Sequence, residues 1–171
     1  ASGAGWEAQN FAGPWQPCGF SEMYTDPGDD PEQFKFAYSP IEPTAVTPDG
    51  TGVLYDFGRE TFARLHLSDL SGGLTVCYGE SETEARDVEN CYILDQLPAG
   101  QTEADLPARA FRYLFFPGAK SVSLRAEYEY LPLEERGSFT SGDPLLNEIW
   151  RVAAYTFHLN SRECFLDGIK R

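Results

Sequence analysis

The feature that most constrains the fold is a stretch of period-two alternation over residues 122–130. Val122, Leu124, Ala126, Tyr128 and Tyr130 fall on one side of an extended chain, with Ser123, Arg125, Glu127 and Glu129 on the other. Successive strand side chains point to opposite faces, so this spacing predicts a strand with one buried and one wet face. Shorter pieces of the same kind occur at 34–38, 53–58, 62–67, 74–79, 91–95 and 111–116. In 62–67, Phe62 and Arg64 share one face, and Ala63, Leu65 and Leu67 the other. Gly58, Ser71-Gly72-Gly73, Pro98, Gly100 and Pro117-Gly118 punctuate these pieces. Short strands separated by Gly and Pro turns predict a mainly β chain, an antiparallel β-sandwich of jelly-roll type. The 12 Phe, 9 Tyr and 3 Trp suit it, because flat rings pack well on pleated surfaces.

The ends of the chain read differently. Residues 1–50 are rich in Gly, Pro and acidic groups and lack sustained periodicity, so irregular chain with short strands is expected there. From residue 137 the pattern turns helical. Asp143 is placed as an N-cap, Pro144 fits the first helical position, and Leu145, Ile149, Val152, Ala153 and Thr156 recur at helical spacing to about Leu159. One helix after an all-β chain has too few partners to be a domain. The division expected is 1–136 as a β-sandwich and 137–171 as the start of a truncated helical domain.

Charge and motif content exclude several classes. The net charge of -14 repels phosphate backbones and anionic membranes, so neither nucleic acid nor membrane is an expected partner. No run of 18 apolar residues is present, and the first five residues do not read as a signal peptide. A periplasmic or extracellular location is expected, with the cytoplasm as the alternative. The cysteines, Cys18, Cys77, Cys91 and Cys164, form no CxxC, and His66 and His158 stand alone, so no zinc site and no cofactor are expected. Cys77 and Cys91 could pair if their strands are neighbours, though buried free thiols are the preferred reading. Neither histidine has a nucleophile motif beside it, and His158 reads as a solvated residue late in the helix. The acidic run Asp26-Pro27-Gly28-Asp29-Asp30-Pro31-Glu32 does not match an EF-hand and reads as a solvated loop. Residues 78–84 read as a strand end followed by an exposed loop. Asp167 and Arg171 stand four apart near Gly168, a spacing that can set a carboxylate beside a guanidinium and offer sugar hydroxyls both acceptors and donors.

The segment Gly137-Ser138-Phe139-Thr140-Ser141-Gly142-Asp143-Pro144-Leu145-Leu146-Asn147 resembles the entry to the catalytic domain of bacterial α-L-rhamnosidases of glycoside hydrolase family 78. The tail Cys164-Phe165-Leu166-Asp167-Gly168-Ile169-Lys170-Arg171 resembles the start of that family's catalytic motif, with Gly168-Ile169-Lys170 departing from its commoner form. Tyr55-Asp56-Phe57-Gly58-Arg59-Glu60-Thr61, Tyr78-Gly79-Glu80-Ser81 and Arg109-Ala110-Phe111-Arg112-Tyr113 are similar to its preceding β-sandwich. The resemblance implies an enzyme that removes terminal α-L-rhamnosyl residues with inversion in an (α/α)6 barrel. It implies rhamnose binding by Asp167 and Arg171, a general acid just after Arg171 and a base far beyond. No catalytic residue then lies within this chain. The partners implied are a rhamnose-containing glycoside or oligosaccharide and the remainder of the catalytic domain. The alternative is a free-standing carbohydrate-binding or structural β-sandwich, with Trp6, Trp15 or Tyr24 as stacking platforms.

Overall fold

The structure, a computed structural model, describes residues 36–162 and 165–170. All of them belong to one compact unit, Phe34–Arg171. Trp6, Trp15, Tyr24, the acidic run at 26–32, Cys18, Cys164 and Arg171 lie outside the described residues.

The order of elements is β1 (Ala37–Ile41), β2 (Ala45–Pro48), β3 (Gly52–Ser68), β4 (Leu74–Gly79), α1 (Glu82–Arg86), β5 (Ile93–Leu97), β6 (Ala104–Pro117), β7 (Ser123–Tyr130) and α2 (Pro144–Asn160). The strands form one antiparallel sheet in the order β1-β7-β3-β6-β4-β5, with β2 pairing the first part of β3. The chain is thus mostly antiparallel β, as the alternation predicts, with one long late helix, as the cap at Asp143-Pro144 and the helical spacing after it predict.

β3 is a single strand where the sequence suggested two. Gly58 does not end it. Gly58 takes φ 79° and donates its N–H to Asp56 Oδ1 at 2.7 Å. Around it β3 advances from Asp56 to Thr61 while β6 moves only from Tyr113 to Phe111. This irregularity folds the strand back on itself. The Tyr55 hydroxyl donates to Val122 O at 2.7 Å and accepts from Val122 N at 3.1 Å. Val122 adjoins Ser123, which pairs with Ser68 at the far end of β3. In a straight strand, Tyr55 and Ser68 would be roughly 43 Å apart. Residues from both halves of β3 (Val53, Tyr55, Phe57, then Ala63, Leu65, Leu67) accordingly share one core with Val76, Tyr78, Leu106, Phe111, Leu114, Phe116 and Ala126. Burying each larger side chain of this set contributes roughly 1.5–3 kcal/mol.

The opposite face of β3 and β6 carries a second, smaller core of Leu54, Cys77, Phe115 and Ala85. Its lid is α1, in the region read as an exposed loop. Ser81 caps α1 by accepting from Glu84 N at 3.2 Å, and Glu82 and Glu84 favour its N-terminal dipole. Cys77 is buried and Cys91 half-buried, and both are free thiols. Burial, with Cys91 beside it, pushes the Cys77 thiol up to about 12. Among the described residues, no helix is long and apolar enough to cross a membrane.

Candidate functional site

The motifs singled out in the sequence lie at both ends of α2 and on the strands beside it, and Glu80 of Tyr78-Gly79-Glu80-Ser81 lies 4.0 Å from Lys170 in the segment that follows the helix. The start of that helix is built by its own loop. Asp143 accepts from Leu145 N at 2.9 Å, and Pro144 occupies a position where no N–H is needed. Asn147 reaches back across the loop, its Oδ1 accepting from Ser141 N at 2.8 Å and its Nδ2 donating to Ser141 O at 2.9 Å. Asp143, Pro144 and Asn147 therefore fix where the helix begins. Its other end is tied to the sheet: the Tyr155 hydroxyl donates to Glu60 O at 2.5 Å, and Arg59 lies 4.2 Å over the Tyr155 ring. Burial pushes the Tyr155 phenol up to about 12.

Beyond α2 the chain turns sharply. Ser161 and Phe165 form an isolated antiparallel bridge, and Leu166 N donates to Asn160 O at 2.9 Å. Arg162, only 8% exposed, lies between the rings of Phe36 and Phe62 at 4.0 and 4.1 Å. It donates to Glu129 O at 3.0 Å and to Glu129 Oε1. Glu129, itself 5% exposed, accepts from Arg64 Nε at 2.9 Å through its other oxygen. Alternation placed Glu129 on the wet face of β7, but Arg162 covers that face. Sequence reasoning missed both residues, because their pairing joins positions far apart in the chain. Losing one partner of such a buried pair costs roughly 3–5 kcal/mol, so the pair strongly specifies where the segment lies.

Lys170 makes a second attachment. Its ammonium is 2.5 Å from Glu84 Oε1 and 4.0 Å from Glu80 Oε1, with the side chain 12% exposed. Burial would raise the Glu84 carboxyl, but Lys170 and the Glu80 N–H outweigh it and hold the carboxyl below its usual range. Nearby, burial and then the Glu80 carboxylate push Glu60 up to about 7, against the pull of Lys170. Asp56 fixes the same corner. It accepts from Arg112 Nε and Nη2 at 2.9 and 3.1 Å, and that guanidinium holds its carboxyl low. Asp167 lies between the attachments made by Arg162 and Lys170 and is exposed. Its expected companion Arg171 lies outside the described residues.

The two histidines stand elsewhere. His66 on the outer face of β3 has Nδ1 beside Asp105 and Nε2 3.2 Å from Glu127. His158, half-buried late in α2, has Nε2 3.4 Å from Glu135. A groove of about 640 Å³ beside His66 is lined by Phe62, Arg64, Asp105, Arg162 and Leu166. Among the described residues, no three His, Cys or carboxylate side chains are arranged to hold a metal ion.

Residues 4–116 match the family described as alpha-rhamnosidase-like, bacteroidetes, N-terminal. Comparison with curated proteins finds no match. Among solved structures, the chain is similar to the rhamnosidase from Klebsiella oxytoca with rhamnose bound, at 23% identity and TM-score 0.64 over 82% of this chain and 39% of that one. It is also similar to the alpha-L-rhamnosidase of Streptomyces avermitilis complexed with L-rhamnose, at 18% identity and TM-score 0.58, over 81% and 16% of the two chains. The GH78 family rhamnosidase of Bacillus sp. GL1 matches at 23% identity and TM-score 0.53, over 73% and 15%. At these identities the likeness is one of fold. The chain spans well under half the length of each of these relatives.

Proposed function

Because the chain belongs to the alpha-rhamnosidase-like N-terminal family, we propose that it is the N-terminal part of a glycosidase that removes terminal α-L-rhamnosyl residues. One observation carries the reading that more of the enzyme packs against it. The helix α2 leaves a closed β core with its own apolar residues in water: Ile149 is 55% exposed, Leu145 64% and Phe157 53%. An amphipathic helix needs a partner for that face, and the rest of a helical catalytic domain supplies one. On this reading, the domains divide at 136/137.

The substrate is a rhamnose-containing glycoside or oligosaccharide. Asp167 accepts hydrogen bonds from rhamnose hydroxyls, and Arg171 binds the sugar or orients the acid that follows it. Hydrolysis proceeds with inversion. One carboxylic acid beyond Arg171 protonates the leaving oxygen. A second carboxylate, roughly 6.5–9.5 Å away, activates the water on the opposite face. Neither lies in these residues, so the 171-residue chain alone is inert. The test is release of aryl alcohol from an aryl α-L-rhamnoside by the full-length protein and by the chain alone. Activity in the first and none in the second is expected. Rhamnose release by the chain alone would overturn the assignment of acid and base.

A further inference from the structure

We infer that Glu84 of the β domain is a positioning residue for sugar binding, acting through Lys170 on the segment that carries Asp167. The inference rests on the reading of Asp167 as a rhamnose ligand and extends it to a residue 83 positions upstream. Asp167 is exposed and lies at a bend just before the turn at Ile169-Lys170. A carboxylate in such a segment binds a sugar more tightly when its backbone is already held, because freezing a loose segment on binding costs affinity.

The structure holds that backbone on both sides. Before Asp167, Arg162 is locked between Phe36 and Phe62 and paired with Glu129. After it, Lys170 is paired with Glu84 at 2.5 Å, with Glu80 at the edge of reach. Each attachment is little exposed, and each joins the tail to a different part of the sheet's outer surface: β7 in one case, α1 after β4 in the other. Glu84 is itself fixed from below. Its Oε2 accepts from Glu80 N at 2.8 Å, and its own N–H donates to the Ser81 cap. The motif Tyr78-Gly79-Glu80-Ser81 thereby shapes a rigid seat for one ammonium. Gly79 allows the tight approach, since a Cβ there would lie 2.6 Å from Ala85 N and from Ser81 O. None of these β-domain groups touches substrate, and their contribution is the placement of Asp167.

The Arg162–Glu129 pair is too deeply buried to probe without risk to folding, so the test uses the outer attachment. In the full-length protein, Lys170→Met and Glu84→Gln are compared with Lys170→Arg, which keeps the charge. Rhamnose affinity, KM and kcat on an aryl α-L-rhamnoside, and Tm are measured. The expected result is a rise of about tenfold in KM and in the Kd for rhamnose for the first two variants, with kcat changed less than KM. Lys170→Arg should stay near the native values. Unchanged KM and Kd in Lys170→Met and Glu84→Gln, with native rhamnosidase activity intact, overturns the inference alone. A native full-length protein that neither binds rhamnose nor cleaves the rhamnoside overturns the underlying functional reading, and the inference with it.

Discussion

Glu60 is half-buried, and its Oε1 is buried with no hydrogen-bond partner among the described residues. Its backbone carbonyl accepts from the Tyr155 hydroxyl. With the carboxyl raised from 4.5 to about 7, the folded protein holds a proton there that the unfolded chain has already released. Stability from this group is therefore fully present below pH 4.5 and lost as pH rises through 7. Glu60→Gln removes the cost of ionisation. Its advantage over the native protein should grow between pH 4.5 and 7 and level off above. It should reach on the order of 2 kcal/mol once solvent screening is allowed for. Urea unfolding of both forms at pH 5 and pH 8 checks this. A pH-independent difference would mean that Glu60 is not the titrating group.

At the scale of elements, the short helix α1 depends on the close approach at Gly79. Gly79→Ala would press a methyl group into backbone atoms of Ser81 and Ala85, which cannot yield without unwinding the helix. A loss of roughly 1–3 kcal/mol is expected by denaturant unfolding. Gly50→Ala, where nothing lies within 4 Å, is the matched control and should change little. Elements were legible where local chemistry decides them. Asp143 and Pro144 encode the start of α2, and alternation found both halves of β3. Gly58 misled the reading because a positive φ can bend a strand as well as end it. The first part of β6 was hidden by Pro107, which argues against a strand. In the fold Pro107 falls between Leu106, paired to Leu65, and Arg109, paired to Ala63, at an irregularity where no ladder N–H is required. At the candidate site, the spacing of Asp167 and Arg171 was legible as a pattern. The pairings on either side of Asp167 were not. Lys170 meets Glu84, and Arg162 meets Glu129, only through tertiary structure.

For the whole molecule, the exposed face of α2 is where the proposed covering domain is tested. Ile149→Glu in the 171-residue chain should leave its unfolding free energy within about 0.5 kcal/mol, as expected for a surface change. On the proposed division at 136/137, the full-length protein buries the same carboxylate against a helical domain, and Tm should fall. Equal effects in both proteins would remove the case for a covering domain on that face. The bend in β3 also dictates an order of events. The second half of β3 closes against β7, whose residues lie about 60 positions later, from Ser123 to Tyr128. During synthesis that half of the strand leaves the ribosome long before its partner does, with Ala63, Leu65 and Leu67 uncovered. Pairing of such long range makes closure slow and exposes apolar surface to aggregation in the interval. Arg162 lies 33 positions after Glu129, so its pairing with β7 is available only once the whole of that strand has been made.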